Sequence, residues 1–347
     1  MPNNKKLSTT WNAFKSANPK IRIRDAASTL GVSEVELVAT ECGNDTVRLT
    51  GNWQAFIREL EHLDRVMALT RNEYAVSEKK GRYQNIRFHG STGLVLDSDI
   101  DLRLFMEKWE SGFSVTSTER KNPLKSFQFF DESGTAVHKI YLTDESDHHN
   151  FINLTEKFAS EDQSTEQSVT RPANHIEDLP DASINVPELE HECESLQDTH
   201  EFNDLLKRFS VGRVQAFRLV REEFAFRVSK NSLTKALQLT AENQTNIMIF
   251  VNSPGTIQIH SGLICNVVRS GKWINVMDDN FNLHVQEDKI NSAWVICKPT
   301  KDGLIWSLEI FDHLNKTIAL LFAKRPEGKP PPLIWEKLLL SLDRVKK

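Results

Sequence analysis

Two segments of the chain, 181 residues apart, repeat one pattern of apolar and polar positions. Residues 126–131 read Ser-Phe-Gln-Phe-Phe-Asp, and residues 307–312 read Ser-Leu-Glu-Ile-Phe-Asp. Each segment is followed by a polar turn and then by a second apolar run, at 136–142 and 317–323. Alternation with a period of two residues is typical of strands that bury one face. The pattern therefore predicts a hairpin with one buried face in each half of the chain.

Further matches occur upstream in the same order and at nearly the same offset. An asparagine precedes an amphipathic helical pattern in each half, and an apolar strand pattern follows it. Self-similarity at a constant spacing is the sign of an internal repeat. The sequence therefore predicts a tandem duplication of one unit. The matched features are 30–35 with 209–214, Asn52 with Asn231, 65–70 with 245–251, 88–90 with 259–261, and Trp109 with Trp294.

Each copy is predicted to begin with helices, continue with several strands and end with a helix, at 150–158 and 332–345. Runs of helices and strands favour an α+β fold with a large antiparallel sheet over a βαβ alternation. Between the copies, residues 159–189 are rich in Ser, Glu, Asp, Asn and Pro, which is typical of a linker. We therefore expect one domain at 1–158 and a second at 190–347.

The composition of the 347 residues is that of a globular protein, with 39% hydrophobic and 26% charged residues. A net charge of −5 argues against nucleic acid as the primary ligand, because a phosphate-binding surface needs an excess of Lys and Arg. No apolar stretch reaches the roughly 18 residues of a membrane-spanning helix, and the N-terminus does not resemble a secretory signal. The four cysteines are scattered without CxxC spacing, as expected for reduced thiols. These features predict a cytoplasmic protein without membrane insertion.

Common catalytic motifs such as GxSxG, the P-loop, HExxH and GxGxxG are absent from the sequence. One histidine, His200, falls in a predicted first helical turn, with Asp198 as N-cap and Glu201 completing a capping box. The positive end of the helix dipole favours neutral imidazole there, and its nitrogen lone pair can bind a metal. The equivalent position in the first copy is Ile21. First-turn histidines are also common without any ligand role, so the residues alone leave both interpretations open.

A second group of residues lies at 101–105. If this segment is a strand, Asp101, Arg103 and Phe105 share one face, while the leucines between them point to the other. A cation beside an aromatic ring suits a flat, partly anionic ligand. The alternative is an exposed face carrying a salt bridge, which the residues alone do not exclude.

Several segments in the same order along the chain point to one family. They are Arg-Asn-Glu-Tyr-Ala-Val at 71–76, Asp-Leu-Arg-Leu-Phe at 101–105, Phe-Gln-Phe-Phe-Asp at 127–131, Leu-Leu-Lys-Arg at 205–208, Gln-Ala-Phe at 215–217, Trp294 with Lys-Pro-Thr at 298–300, and Asp-Gly at 302–303. Together they resemble the HemS/ChuS family, the cytoplasmic haemin transport and degradation proteins of Gram-negative bacteria. The resemblance covers nearly the whole chain, and the family is itself an internal duplication.

The resemblance implies a bound haem between the two halves, with an axial histidine in the helix that opens the second half. It also implies a distal arginine and an aromatic residue from the first half, and a pocket in the second half with cations for the haem propionates. The matching positions are His200 as iron ligand, Arg103 and Phe105 from the first half, and Phe250, Lys298, Phe322 and Arg325 from the second, with Lys298 and Arg325 suited to the propionates.

The chain departs from the family pattern at two positions. Some relatives carry a histidine where this chain has Ser77, so a second haem site in the first half loses its ligand. Relatives also have a pocket tyrosine in the last strand, where this chain has Phe322. Any mechanism that needs that hydroxyl is therefore in doubt here.

Two functions are consistent with the same pocket. One is an enzyme that cleaves haem in a reductive, oxygen-dependent reaction, with Arg103 and His200 in catalytic roles and electrons from an external reductase. The other is a carrier that takes haem from an inner-membrane importer to a separate haem oxygenase. A third alternative is that the fold is kept with another ligand. Either a monomer or a homodimer is compatible with the sequence.

Overall fold

The computed structural model describes residues 4–117, 123–170, 178–199, 201–301, 303–326 and 329–347. The α-helices are α1 Asn4–Ala17, α2 Ile23–Leu30, α3 Glu34–Ala39, α4 Trp53–Glu59, α5 His148–Lys157, α6 Val186–Glu194, α7 Glu201–Arg208, α8 Arg213–Leu219, α9 Ser232–Glu242 and α10 Leu333–Leu340. The strands are β1 Thr46–Leu49, β2 Asp64–Arg71, β3 Ala75–Gly81, β4 Arg87–His89, β5 Thr92–Leu96, β6 Asp101–Phe105, β7 Ser111–Ser117, β8 Leu124–Phe130, β9 Ala136–Ser146, β10 Ala225–Val228, β11 Ile247–Asn252, β12 Thr256–Gly262, β13 Val267–Ser270, β14 Trp273–Met277, β15 Phe281–Gln286, β16 Ser292–Thr300, β17 Gly303–Phe311 and β18 Thr317–Ala323. No helix in these described ranges has the length and apolar character needed to cross a bilayer.

The chain forms two compact units that each contain a short piece of the other half. Unit 1 comprises Met1–Arg71, Glu78–Ala173 and Asn252–Gln258, and unit 2 comprises the remaining residues. We call Asn72–Ser77 and Asn252–Gln258 the first and second exchanged segments. The expected domain boundaries at 158 and 190 stay a prediction.

The two units have the same strand order. In unit 1 the antiparallel order is β1-β7-β8-β9-β2, and in unit 2 it is β10-β16-β17-β18-β11. Strands β4, β5 and β6 pair in chain order in unit 1, as β13, β14 and β15 do in unit 2. The final hairpins even share a bulge at the same register, at Phe129/Phe130 and at Ile310/Phe311. The predicted α+β fold with a duplicated unit is confirmed.

Helix ends repeat as well, which fixes the alignment of the helices. Gly31 and Ser210 follow α2 and α7 with left-handed φ angles of 71° and 50°. The N–H of Val32 donates to the carbonyl oxygen of Ala27 at 3.1 Å, and the N–H of Val211 donates to that of Leu206 at the same distance. The offset in this region is therefore 179 residues, which makes Ile21 the equivalent of His200. His200 itself lies outside the described residues.

Two of the sequence matches are wrong in detail. Strand pairing makes Trp294 the equivalent of Phe113. Ser292 pairs with Phe311 in unit 2 as Ser111 pairs with Phe130 in unit 1, and each aromatic residue lies two positions after its serine. Trp109 therefore has no counterpart in Trp294. His89 ends β4, whereas His260 lies in β12, so these two histidines belong to different strands of the repeat.

The hairpins bury both faces rather than the one face that alternation predicted. In unit 1, Phe130 packs with Val35 of α3 on one side of the sheet. Phe127 and Phe129 pack with Phe56 of α4 on the other side. Helices thus cover both faces of β8, and the polar residues Ser126 and Gln128 are buried together with its phenylalanines. Unit 2 repeats this arrangement, with α7 and α8 in one cluster and α9 and α10 in the other.

The exchanged segments are bound by backbone and side-chain hydrogen bonds within the unit that contains them. In unit 1, the carbonyl oxygen of Gly255 accepts from the backbone N–H of Phe105 at 3.0 Å and from Trp109 Nε1 at 2.9 Å. In unit 2, the carbonyl oxygen of Tyr74 accepts from the backbone N–H of Gln286 at 2.9 Å. Each unit is therefore completed by residues from the other half of the chain.

Candidate functional site

The start of α7 is held by a carboxylate. Glu201 Oε2 accepts from the backbone N–H of Asp198 at 3.3 Å and from that of Gln197 at 2.9 Å. This is the half of the predicted capping box in which the acidic side chain reaches back to the N-cap. The helix then buries Phe202 and Leu205 in unit 2. His200 directly precedes α7 in the sequence and lies outside the described residues.

Two aromatic rings and a lysine from the sheet come together near α7. Phe250 of β11 and Phe322 of β18 meet edge to face, with ring centroids 5.3 Å apart. Lys298 Nζ lies 5.8 Å from the centroid of the Phe322 ring and 4.8 Å from that of Phe202. Phe250, Lys298 and Phe322 thus lie close together, and Phe202 joins them.

Lys298 is one of two cations bound by a fully buried carboxylate. Glu309 Oε1 accepts from Lys298 Nζ at 3.0 Å and from Arg213 Nη2 at 2.9 Å, and Oε2 accepts from Arg213 Nε at 2.6 Å. We call Arg213, Lys298 and Glu309 the charge cluster of unit 2. Because it contains two cations and one carboxylate, it keeps one net positive charge in a site with little water.

Electrostatics keep Glu309 ionised in this buried position. Burial raises its pKa, but the positive charges of Arg213 and Lys298 outweigh burial and hold the pKa at about 2. Burial lowers the pKa of Lys298, and the charge of Glu309 opposes that effect. The carboxylate is therefore negative at neutral pH and fixes both cations in place.

Unit 1 contains a second charge cluster, formed by Glu34, Arg71 and Lys139. Glu34 Oε1 accepts from Lys139 Nζ at 2.6 Å, and Oε2 binds Arg71. Burial raises the pKa of Glu34, but Lys139 and Arg71 outweigh it and hold the pKa at about 2. The two clusters have opposite arrangements, because the helix start supplies the carboxylate in unit 1 and the arginine in unit 2.

We predict that acid destabilises the protein through Glu34 and Glu309. Their folded pKa values, about 2, lie below the ordinary value of 4.5, so their contribution is complete above pH 4.5 and is lost as the pH falls towards 2. Each carboxylate should contribute about 3 kcal/mol of pH-dependent stability. Urea unfolding at several pH values measures this loss. In the Glu309→Gln variant, the stability lost between neutral pH and pH 2 should be smaller by the contribution of one carboxylate. If the pH dependence of its stability is unchanged, Glu309 is not one of the groups that titrate.

The remaining predicted residue of unit 2 lies just after β18. Arg325 is half-buried, and its Nη1 donates to the carbonyl oxygen of Lys329 at 2.9 Å. The structure therefore places Arg325 on the segment that leaves the sheet next to Phe322. Its predicted contact with a propionate stays a prediction.

In unit 1, β6 has the predicted alternation. Leu102 and Leu104 are fully buried, whereas Asp101, Arg103 and Phe105 are half-buried on the other face. Arg103 forms an ion pair with Asp101, as in the alternative interpretation of this face. Burial raises the pKa of Asp101 although the nearby guanidinium lowers it. Arg103 keeps about a third of its side chain exposed, so it can still bind a further group.

Sequence reasoning missed Phe202, Arg213 and Glu309. One signal for Glu309 was available, since it is a lone carboxylate between Leu308 and Ile310 in an apolar strand. A charge at such a position is expected to be paired. Nothing in the sequence pointed to Arg213 as its partner, because the two are 96 residues apart.

Comparisons with known proteins place the chain among close relatives. The family model described as "Haemin-degrading HemS.ChuX domain" matches residues 31–158 and again residues 210–342. The hemin transport protein HmuS of Yersinia pestis is 38% identical over 334 residues, which cover 94% of each chain. The structure of holo-PhuS, a heme-binding protein from Pseudomonas aeruginosa, is 37% identical with a TM-score of 0.96, covering 99% of this chain and 100% of that chain. The heme degrading enzyme ChuS of Escherichia coli O157:H7 is 32% identical with a TM-score of 0.91, covering 98% of this chain and 100% of that chain. The resemblance found in the sequence is therefore confirmed.

Proposed function

Because this chain belongs to the family of the haemin-degrading HemS.ChuX domain, we propose that it binds haem in unit 2 and degrades it or passes it on. The observation that carries the proposal is the combination of the Phe250–Phe322 aromatic pair with the charge cluster of unit 2. Haem needs apolar surface for its macrocycle and positive charge for its two carboxylates. This part of unit 2 supplies both.

We assign the iron to His200. The residue directly precedes α7, whose start is held by Glu201, and the equivalent Ile21 in unit 1 cannot bind a metal. Near a helix N-terminus the neutral form of imidazole is favoured, so its nitrogen is free to bind iron at neutral pH. Bound haem would supply an iron centre that can bind oxygen, and the protein supplies position and charge.

For Lys298 we propose a role different from the propionate contact that the resemblance implied. Lys298 is buried and bound to Glu309, so it is not a free cation that extends to a propionate. Instead, Lys298 and Arg213 together leave one net positive charge beside Phe202, which attracts a propionate through space. Arg325 is the residue that we assign to direct propionate binding.

Arg103 and Phe105 of unit 1 are proposed to complete the pocket. Arg103 would donate hydrogen bonds to negative charge that develops during oxygen chemistry at a bound haem. Phe105 would pack against the macrocycle. The proposed setting is the cytoplasm, with an inner-membrane importer as the source of haem and an oxygenase or a reductase as the next partner.

One experiment separates the enzyme from the carrier. The haemin-loaded protein is mixed with a reductant and catalase in air, and the Soret band is followed together with iron release. We expect loss of the band with formation of an open-chain tetrapyrrole, because Arg103 can stabilise negative charge next to the iron. A stable band, with transfer of haem to an added haem oxygenase, would contradict degradation and assign the carrier role.

The same experiment with Arg103→Ala tests the catalytic assignment. The degradation rate should fall by about 100-fold, as is typical when one donor to a developing negative charge is lost. Haemin affinity and thermal stability should change little, since Arg103 lies on a half-buried face. An unchanged rate would remove Arg103 from the site.

A further inference from the structure

The last helix of unit 2, α10, exposes leucines on the side that points away from the core. Trp335, Leu338 and Leu339 are buried in unit 2. In contrast, Leu333 is 69% exposed and Leu340 is 43% exposed. These two leucines are seven residues apart, so they lie on one side of the helix, about 10 Å apart along its axis. Surface helices normally turn polar residues outward, and a helix that is apolar on all sides is normally buried.

Two further apolar side chains extend this exposed surface. Ile334 is 43% exposed at the start of the same helix. Leu304 of β17 is 50% exposed and lies on the same face of its strand as Trp306. Trp306 packs on the core cluster that contains Trp335, and its carbonyl oxygen accepts from Trp335 Nε1 at 3.0 Å. Leu304 therefore lies on the face of the sheet that α10 covers. We call Leu304, Leu333, Ile334 and Leu340 the α10 patch.

Three lysines border the α10 patch. Lys337 lies on the outer side of α10, between the two exposed leucines of the helix. Lys329 lies four residues before the helix, and Lys301 lies just before β17, where Pro330 packs against the start of the strand. All three lysines are exposed, and none forms an ion pair with a residue that the structure describes. Glu336, which is half-buried, is the only acidic residue at 329–341.

The last helix of unit 1 does not have such a face. Like α10, α5 follows the final hairpin of its unit and packs on the sheet together with the helix before it, α4. Its exposed residues are polar with one exception, and they are His148, His149, Ile152, Asn153, Glu156 and Lys157. The repeated fold therefore does not require exposed leucines on this helix, and the α10 patch is a feature of unit 2 alone.

The composition of the α10 patch fits an anionic lipid surface better than a protein surface. Interfaces between proteins are enriched in aromatic residues and depleted of lysine. The four exposed side chains of the patch are aliphatic, and lysines border them. Such a combination is typical of segments that lie at a membrane surface, where apolar side chains enter the lipid and lysines attract anionic headgroups. The positive border of the patch complements the negative charge of those headgroups.

We propose that unit 2 docks on an anionic membrane surface through the α10 patch. The contact is peripheral, because α10 has eight residues and no helix in the described part of the chain can cross a bilayer. It goes beyond the proposed function and does not require bound haem. Arg325 lies beside this surface, since its Nη1 donates to the carbonyl oxygen of Lys329 at 2.9 Å. Docking would therefore bring the proposed propionate contact close to the membrane.

The test uses the full chain without haemin, because haemin itself partitions into bilayers. The protein is mixed at low salt with vesicles of phosphatidylcholine alone, or of phosphatidylcholine and phosphatidylglycerol in equal amounts, and bound protein is measured by flotation. We expect binding to the anionic vesicles that decreases as salt is added, and binding to the neutral vesicles that is weaker by at least about tenfold. If the protein does not bind the anionic vesicles, or binds both kinds equally, the proposal is wrong.

Variants of the α10 patch locate the contact. Leu333→Ser combined with Ile334→Ser should weaken vesicle binding about tenfold, because two apolar side chains no longer enter the lipid. Lys337→Gln should weaken it about fivefold and reduce its dependence on salt. The matched control is Leu314→Ser, since Leu314 is also 43% exposed but lies in the turn at the other end of β17. It should bind vesicles like the unchanged protein.

Two further measurements make the result specific. Thermal unfolding verifies that each variant is folded, and haemin titration should give the same affinity for all of them. Vesicle binding that the variants of the α10 patch do not weaken would overturn the assignment of this surface. If the double serine variant instead separates a dimer in sedimentation and vesicles are not bound, the patch is an interface between two copies and the proposal is wrong. Failure of the unchanged protein to bind haemin would concern the proposed function and not the membrane contact.

Discussion

Replacing His200 with alanine should remove the proposed iron ligand and weaken haemin binding by about 100-fold or more. Loss of a residue that only supports a metal ligand already costs about 10- to 100-fold in affinity, and the ligand itself should cost at least the upper value. The ferric Soret band should shift, because the iron loses its imidazole. Haemin titration and absorbance spectroscopy measure both effects.

The matched control is His191→Ala, since His191 lies exposed on α6 nine residues before His200. It should bind haemin like the unchanged protein. Added imidazole should restore the Soret position of His200→Ala, because free imidazole can enter the space that the side chain left. If His200→Ala keeps both spectrum and affinity, the iron has another ligand and the assignment is wrong.

Replacing Glu309 with alanine should strongly destabilise unit 2. The substitution leaves Lys298 and Arg213 without their shared carboxylate, and breaking a buried ion pair in this way costs about 3–5 kcal/mol. The free energy of unfolding in urea measures this loss. Haemin binding should fall as well, because the cations that flank Phe202 lose their fixed positions.

An exposed ion pair on the neighbouring helix gives the control. Asp204 pairs with Lys207 on α7, and both side chains are about three-quarters exposed. Asp204→Ala should therefore change stability by less than about 1 kcal/mol. Adding Lys298→Met to Glu309→Ala should recover part of the lost stability, since it removes one of the two unpaired charges. If Glu309→Ala and Asp204→Ala lower the free energy of unfolding equally, the buried charge cluster does not stabilise unit 2 more than an exposed ion pair does.

The sequence predicts most of the architecture because the relevant signals are local or repeated. The period of two residues in the final hairpins and the matching asparagines before helices indicate the strands and helices of both copies. Asn52 indeed caps α4, where its side chain accepts from the backbone N–H of Ala55. The bulge shared by the two hairpins was not predictable, since no residue type in either segment requires it.

The charge clusters could not be predicted because their members are far apart in the sequence. Glu34 lies 105 residues from Lys139, and the pairing arises only when α3 packs on the sheet. In unit 2 the equivalent helix start supplies an arginine, and its carboxylate partner Glu309 lies on a different strand of the repeat, because Lys139 is the counterpart of Leu320. A comparison of the two halves by residue identity therefore does not reveal either cluster.

The exchanged segments also affect when each unit can finish folding during synthesis. Unit 1 needs the second exchanged segment, which ends at residue 258, although its other residues are complete by residue 173. At synthesis rates of about 5–20 residues per second, the 85 residues from 174 to 258 take roughly 4 to 17 s. During that interval the N–H groups of Phe105 and Trp109 lack the carbonyl oxygen of Gly255. A nascent chain stalled before residue 252 should therefore be more sensitive to proteases in its first half than one stalled after residue 258.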